Sequence, residues 1–439
     1  MFAKAMAVPC ALPADTAIFG RQHSMSDMSS VSRERKKREL KKQMISSGQS
    51  RPDSGNHNEG RKKRKRGHRL LKVLLLFAVI GVGAAGIYYY FGNHQFTEYV
   101  VGWEKPIQEG GAGEYKNFGS NVLKYTKDGM SYINDKGETV WMQSYEMKNP
   151  IASVNGNYAV VADQQGNSIY ICDVTGVLGQ ASTVLPVIKA VVSQTGVAAA
   201  ILEDSKANYI QYYNKDGSTI DLTIKTALSG DGYPLDAALS PDGNQTIASI
   251  MYLSGGELKN RVVFYDFSEI GKNQKHLVGG FDQEFSDSIA ARVIYPDDTH
   301  ACAFTDQGIS FFSSKNRAAV ELTSQVPADG TVETVFYSNK YAGLIAKTSG
   351  GENPYRLDLY KVNGDRLFSA EFNFPYEHVD LSDDMVILYN EESCMIYGLN
   401  GKVKYSGSLG MEIAKINQGR SSNSVIVCSP QTMKEIRFR

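Results

Sequence analysis

The sequence predicts an all-β fold, an eight-bladed β-propeller, preceded by a single transmembrane helix and a disordered basic tail. A seven-bladed ring is the alternative. Three observations lead to this prediction. An uncharged apolar segment follows a polybasic block, the net charge changes sign across that segment, and the chain beyond it repeats one strand–turn pattern.

The charge of the chain is divided unequally along its length. The 439 residues have a net charge of zero, yet residues 1–72 contain 18 Lys and Arg against 6 Asp and Glu. The remaining residues contain 29 basic against 41 acidic side chains. Such asymmetry indicates a basic tail attached to an acidic folded region, with each part facing a different environment.

The segment between these two parts has the properties of a membrane span. Residues 73–91, VLLLFAVIGVGAAGIYYYF, carry no charge, and residues 61–72 before them carry eight basic side chains. Nineteen helical residues span about 28 Å, close to the roughly 30 Å of a bilayer's hydrocarbon core. We predict a transmembrane helix over 69–91, in contact with lipid through residues 70–91. The basic flank predicts a cytoplasmic N-terminus and an extracellular C-terminal part at the cell membrane.

A cleaved signal peptide is the alternative for this segment. Against it, the apolar run is long, and aromatic residues stand where small cleavage-site residues are expected. Residues 1–68 lack the apolar periodicity of a folded core and are predicted to be a disordered cytoplasmic tail. Its basic side chains could contact anionic lipid. No nucleic acid is expected, because the tail lacks interleaved aromatic residues.

Beyond the linker, predicted over 92–116, the chain repeats. Each copy has an apolar strand, a polar turn, and a second strand that ends in an aromatic residue shortly before another turn. These aromatic residues are Tyr132, Tyr170, Tyr213, Tyr265, Phe312, Tyr360 and Tyr397. The spacings between them, 37 to 52 residues, match four-stranded propeller blades, so residues 117–439 are predicted to form the propeller.

The last copy predicts how the ring closes. It has an innermost strand near 412–417 and two further strands, but the chain ends before a fourth. The stretch 95–103, QFTEYVVGW, is a spare strand before the first copy. We therefore predict that 95–103 completes the final blade.

Two short motifs support a resemblance to known propellers. NDKGETVW at 134–141 looks like the aspartate–turn–glycine–tryptophan element of quinoprotein-like repeats, and SPDG at 240–243 is similar to a turn of WD40-like and TolB-like propellers. With the basic tail and single span, the chain resembles an uncharacterised family of single-pass envelope proteins of Gram-positive anaerobes. The resemblance implies an envelope propeller. A quinone-dependent dehydrogenase of this fold would repeat its tryptophan in most blades, whereas this chain has only Trp103 and Trp141, so that activity does not carry over.

The cysteines of the propeller are expected to be core residues rather than reactive ones. Cys10 lies in the tail, and Cys172, Cys302, Cys394 and Cys428 each lie in a predicted strand of a different blade. Because bridged Cα atoms lie within about 7 Å, only Cys394 and Cys428, in adjacent blades, are plausible disulfide partners. We expect the others to be buried thiols.

The remaining candidates for chemistry are better interpreted as turns. DDTH at 297–300 resembles a metal-ligand cluster but is typical of a polar turn between strands. The acidic residues of other turns, Asp128, Asp163, Asp216 and Asp242, are expected to accept bonds from nearby backbone N–H groups.

The sequence therefore assigns no catalytic, cofactor-binding or metal-binding residue and identifies no binding residue. We expect a non-enzymatic binding or scaffold module for an envelope protein, peptide or glycan. The alternative is a quinone- or metal-dependent oxidoreductase that uses the central channel.

Overall fold

The computed structural model describes residues 73–83, 86, 89, 94–107, 113–119 and 121–439. The predicted basic tail, 1–68, and parts of the predicted span, 69–91, lie outside these residues. Residues 73–83 are helical. Their large apolar side chains are 49–74% exposed. No helix within the described ranges is both long and apolar enough to cross a bilayer.

The rest of the described chain forms 32 strands in eight four-stranded antiparallel sheets, which we number as blades 1 to 8. The first strand in the chain, β1, is Tyr99–Pro106, and it belongs to the last blade. Blade 1 contains β2 (Glu114–Phe118), β3 (Asn121–Tyr125), β4 (Gly129–Ile133) and β5 (Thr139–Ser144). Blade 2 contains β6 (Pro150–Asn155), β7 (Tyr158–Asp163), β8 (Ser168–Asp173) and β9 (Gly176–Ser182). Blade 3 contains β10 (Val187–Val192), β11 (Ala198–Glu203), β12 (Ala207–Tyr213) and β13 (Thr219–Ala227).

Blades 4 to 7 continue this order. Blade 4 contains β14 (Tyr233–Leu239), β15 (Gln245–Ser254), β16 (Glu257–Asp266) and β17 (Leu277–Phe281), with a 3-10 turn at Gly271–Gln274 before β17. Blade 5 contains β18 (Ala290–Asp297), β19 (His300–Thr305), β20 (Gly308–Ser313) and β21 (Glu321–Pro327). Blade 6 contains β22 (Thr331–Tyr337), β23 (Tyr341–Lys347), β24 (Tyr355–Lys361) and β25 (Arg366–Phe372). Blade 7 contains β26 (His378–Leu381), β27 (Met385–Tyr389), β28 (Ser393–Gly398) and β29 (Val403–Ser408).

Blade 8 joins the two ends of the propeller. Its strand order is β30 (Lys415–Gln418), β31 (Ser424–Cys428), β32 (Thr432–Phe438) and then β1. β1 and β32 are antiparallel, from Tyr99 opposite Phe438 to Pro106 opposite Thr432. The closing strand therefore begins four residues later than the predicted 95–103, and blade 1 begins at Glu114 rather than at 117. The prediction of eight blades is confirmed, and the seven-bladed alternative is wrong.

Every interface between neighbouring blades has its own apolar core. The described residues form eight hydrophobic clusters, one for each adjacent pair of blades around the ring. The seven aromatic residues that define the repeat lie in the third strand of blades 1 to 7 and join these clusters. A twisted sheet that buries both faces only against its neighbours requires a closed ring.

The turns between strands repeat as the sequence indicates. The turn at 240–243 lies between β14 and β15 of blade 4, where the backbone N–H of Gly243 donates to Ser240 O at 2.9 Å. Gly243 has a φ of +77°, a conformation that L side chains rarely adopt. Equivalent turns end in Gly137, Gly196, Gly217, Gly364 and Gly401, all with positive φ.

Candidate functional site

The first strand of each blade lines the central channel. These eight strands are β2, β6, β10, β14, β18, β22, β26 and β30, and each forms one end of its sheet. First strands of neighbouring blades contact one another around much of the ring. Four basic residues lie on these strands, in blades 1, 3, 5 and 8: Lys116, Lys189, Arg292 and Lys415. Their charges act on one another.

Two carboxylates lie among these four basic groups. Asp236 on β14 has a fully buried side chain, and Asp380 on β26 has a side chain only 10% exposed. A third carboxylate, Glu114, accepts from Tyr125 Oη. It also acts on Lys116 and opposes the lowering of its pKa. The two remaining acidic residues of the first strands pair elsewhere, Glu333 with Lys347 and Asp297 with His300. The channel therefore has an excess of positive charge.

Asp236 connects blades 3, 4 and 5, and we call the group Lys189–Asp236–Arg292 the Asp236 clamp. One carboxylate oxygen contacts Lys189 Nζ and accepts from the backbone N–H of Ala237 at 2.8 Å. The other accepts from the backbone N–H of Val293 at 2.9 Å and lies 3.6 Å from Arg292 Nη1. Both oxygens of Asp236 are therefore satisfied.

Asp380 connects blades 7, 8 and 1 on the other side of the ring, and we call Lys415–Asp380–Asn117 the Asp380 clamp. Asp380 Oδ2 pairs with Lys415 Nζ. Asp380 Oδ1 accepts a 2.6 Å hydrogen bond from Asn117 Nδ2. Asn117 lies on blade 1, so this bond passes the inner edge of blade 8.

Lys116 has no ion-pair partner among the described residues, unlike the other three basic groups. Its side chain is exposed, yet surrounding protein atoms limit its hydration. This burial lowers the pKa of Lys116, and the charges of Lys415 and of Arg292, four blades away, lower it further. Burial also lowers the pKa of Lys189. Groups on different sides of the ring therefore act on one another across the channel.

The channel edge between blades 8 and 1 holds buried polar atoms without hydrogen-bond partners. Asn417 on β30 is only 4% exposed, and neither its Oδ1 nor its Nδ2 has a partner. Asn117 Oδ1 and Tyr115 Oη on the facing strand β2 are also unpaired. An unpaired buried polar atom costs about 1–3 kcal/mol, so several at one place need an explanation.

The two motifs considered as possible sites form a turn network between blades 3, 4 and 5. Asp242 of the 240–243 turn accepts from Arg317, and its backbone N–H donates to Asp298 Oδ1 at 2.9 Å. Burial opposes ionisation of Asp242, but hydrogen bonds from Arg317, Ser240 and Asn244 outweigh it and lower its pKa to about 2.

The DDTH stretch is a turn in the structure. Asp297 Oδ1 accepts from the backbone N–H of Thr299 at 2.7 Å, and Asp297 Oδ2 lies 2.8 Å from His300 Nδ1. Among the described residues, no group of three or more His, Cys, Asp and Glu could hold a metal ion. Asp163 and Asp216 likewise accept from backbone N–H groups in turns.

The four cysteines of the propeller are free and buried. The disulfide considered between Cys394 and Cys428 is not formed. Burial raises the pKa of both thiols to about 12, so neither is a reactive thiolate at neutral pH. Cys10 lies outside the described residues.

Sequence reasoning missed the channel residues, although a signal was present. Asp236 lies in YPLDAAL, Lys189 in VIKAVV and Asp380 in HVDL, each a single charge within a short apolar strand. Buried charges are rare unless paired. Charges at the first strand of successive repeats therefore predict a shared central site once the repeat is recognised.

Fold and site together define an eight-bladed β-propeller with a positively charged central channel. The chain belongs to a family of unknown function, DUF5711, whose model matches residues 92–438. This match does not test the resemblance to envelope proteins of Gram-positive anaerobes, which stays a prediction. No curated protein matches the chain.

Several solved structures are similar to the chain at low sequence identity. Sqt1 of Chaetomium thermophilum, solved bound to the N-terminus of ribosomal protein L10, is 9% identical with a TM-score of 0.49, over 79% of this chain and 100% of that one. Apo AztD of Citrobacter koseri is 9% identical with a TM-score of 0.48, over 68% and 87%. Hydrazine synthase of Kuenenia stuttgartiensis is 12% identical with a TM-score of 0.41, over 73% and 96%. Likeness at this level carries no argument about function.

Proposed function

We propose that the protein is a membrane-anchored, extracytoplasmic propeller that binds an acidic segment of an envelope protein or peptide in its central channel, without catalysis. The observation that carries this proposal is the convergence of four basic side chains on the channel against three carboxylates, Asp236, Asp380 and Glu114. A cleft with an excess of one charge sign and low-dielectric walls focuses its field on ligands of the opposite sign.

The channel favours an acidic ligand over a neutral glycan. Lys116 has no ion-pair partner in the described part of the chain, and Arg292 lies 3.6 Å from Asp236 with 40% of its side chain exposed. Both groups therefore retain donors for a carboxylate. Tyr337, 43% exposed and close enough to Arg292 for that charge to act on its pKa, adds an apolar surface beside them.

The membrane part of the proposal rests on the segment before the propeller. Helical residues 73–83 expose large apolar side chains, and a helix that is apolar all round is expected in lipid rather than in water. The polybasic residues 61–72 set the cytoplasmic side. The ligand is therefore sought outside the membrane.

Binding of a peptide probe to membrane vesicles of defined orientation tests the proposal. Full-length protein in right-side-out membrane vesicles is incubated with fluorescent hexaglutamate, which does not cross a bilayer, and with hexalysine. We expect hexaglutamate to bind, with an affinity that falls as salt rises. The double variant Lys116→Ala, Arg292→Ala is expected to bind about 100-fold more weakly, because two charge-assisted contacts are lost.

The matched control removes two exposed lysines in outer turns, Lys136→Ala and Lys215→Ala, and should bind like the unmodified protein. Binding of hexalysine in place of hexaglutamate, or an unchanged channel variant, would refute the channel site. Binding only by inside-out vesicles would refute the orientation.

A further inference from the structure

The unpaired polar atoms at the edge of blades 8 and 1 belong to uncharged side chains, unlike the charged groups described in the rest of the channel. Asn417 and Lys415 alternate on β30, so they share one face of that strand. Ile416 between them packs in the core of blades 7 and 8. The strand partner of Asn417 is Ile426, which packs against blade 1. Asn417 therefore faces blade 1 at the innermost strand.

The opposite wall of this edge belongs to blade 1. Tyr115 packs in the core shared by blades 8 and 1, and Asn117, two residues further along β2, lies on the same face. Asn117 uses its Nδ2 on Asp380 and leaves its buried Oδ1 unpaired. Two asparagines from adjacent blades thus line one edge of the channel beside Lys415.

The unpaired atoms at this edge are both donors and acceptors. The carboxamide of Asn417 offers two donor hydrogens and one acceptor oxygen. A peptide group carries one N–H and one C=O and is complementary to it. A bare anion such as phosphate would satisfy only the donors and would leave the Asn417 oxygen unpaired.

We propose that the edge formed by Asn417, Asn117 and Tyr115 is a peptide subsite, in which Asn417 binds one backbone amide group of the acidic ligand while the neighbouring basic groups bind its carboxylates. This proposal rests on the proposed function. It assigns Asn417 as the residue that distinguishes an acidic peptide from other polyanions.

A peptide-binding role of Asn417 predicts a different effect on thermal stability from a purely structural role. A buried amide without partners destabilises the ligand-free protein. Asn417→Ala should therefore leave the thermal midpoint unchanged or raise it, while weakening the binding of a peptide. A residue that only supports the fold would lower the midpoint when truncated.

The test uses full-length protein in detergent and two probes of different backbone. Binding of hexaglutamate and of inorganic tripolyphosphate is measured by calorimetry for the unmodified protein and for Asn417→Ala. We expect the variant to bind hexaglutamate about tenfold more weakly, because two hydrogen bonds are lost. Tripolyphosphate should lose clearly less affinity, because an anion without an N–H group can use only the donors of Asn417.

Two further variants keep the test decisive. Asn208→Ala is the matched control, since Asn208 is also buried and unpaired but lies on β12, the third strand of blade 3. It should not change hexaglutamate binding. The nearly isosteric Asn417→Asp places a negative charge at the subsite and should abolish hexaglutamate binding even if Asn417→Ala folds poorly.

The outcomes separate the two proposals. Equal weakening of both probes by Asn417→Ala, or no weakening of hexaglutamate, overturns the peptide subsite. Failure of the unmodified protein to bind hexaglutamate overturns the proposed function itself, and the subsite with it.

Discussion

The two carboxylate clamps of the channel are built alike but are completed differently. The Asp236 clamp joins blades 3, 4 and 5, and both of its carboxylate oxygens bond to backbone N–H groups as well as to side chains. The Asp380 clamp joins blades 7, 8 and 1 through side chains only, and it lies beside the unpaired Asn417. A buried charge that also holds the backbone supports the fold, whereas polar atoms left unpaired at a channel indicate a place for a ligand.

The blades that the Asp380 clamp joins are also those at which the ring closes. Blade 8 takes three strands from the end of the chain and β1 from before blade 1. The clamp without backbone hydrogen bonds therefore lies at the blade that is built from two separate parts of the chain. Three perturbations test this comparison.

Deleting β1, Tyr99–Pro106, should have the largest effect and should act first on the side of the Asp380 clamp. The deletion exposes the edge of β32 and removes the strand pairing that joins the two ends of the ring. We expect a loss of about 5 kcal/mol or more, comparable with the whole stability of a typical domain. Hydrogen exchange of the deletion variant, otherwise unchanged, should show a larger loss of protection in blades 7, 8 and 1 than in blades 3 to 5. Equal loss around the ring, or unchanged thermal unfolding, would contradict this role of the closing strand.

The next perturbation compares the two clamps directly. Asp236→Ala leaves Lys189 and Arg292 without their carboxylate and two backbone N–H groups without an acceptor, so the free energy of unfolding should fall by about 3 kcal/mol. Asp380→Ala leaves Lys415 without its carboxylate but leaves no backbone N–H group without an acceptor, and it should cost about 2 kcal/mol. Urea unfolding of the full-length variants measures both.

The control for this pair is Asp383→Ala, which removes an exposed carboxylate that pairs with the exposed Lys340. It should cost no more than about 0.5 kcal/mol, as surface ion pairs contribute little. A loss for Asp380→Ala as large as that for Asp236→Ala would show that the clamps are equivalent, contrary to the comparison.

The smallest expected effect is a pH dependence centred on Lys116. Burial and the charges of Lys415 and Arg292 hold its pKa below the ordinary value of 10.5, so it loses its proton at a lower pH than an exposed lysine. Hexaglutamate affinity should fall several-fold as the pH rises towards 10.5, through loss of one charge-assisted contact. Lys116→Arg should remove this decline, because a guanidinium stays charged.

The stability of the ligand-free protein should change in the opposite sense. Between the lowered pKa and 10.5 the unfolded chain binds more protons than the folded one, so the unfolding free energy rises with pH in this window. Lys189, whose pKa is also lowered by burial, contributes with the same sign. A binding decline that persists in Lys116→Arg would assign the pH dependence to another group.

Much of the fold could be predicted from the chain, because each blade carries its own local signals. Tyr132 and the six later aromatic residues recur at blade spacing, and turns such as 240–243 combine Pro, Asp and Gly in the order that the turn geometry favours. The missing fourth strand of the last copy indicated where the closing strand is used. Its start lies four residues and its end three residues beyond the predicted bounds, since pairing with Phe438 and not composition sets where β1 begins.

The candidate site could not be predicted in the same way. Lys116 and Arg292 are 176 positions apart and lie in blades 1 and 5, and nothing local to either shows that the other acts on it. The DDTH stretch had the composition of a metal cluster, but its side chains bond within a turn. Asn417 stands in KINQ without any motif.

The sequence by itself determined the repeat, the blade spacing, the division of charge and the apolar segment, since all of these depend on neighbours along the chain. The tertiary structure alone decided which charges meet in the channel and which polar atoms remain unpaired there. Closure of the ring brings first strands from distant blades together around one axis. Burial at that axis makes the interactions between their few charged side chains stronger than they would be in water.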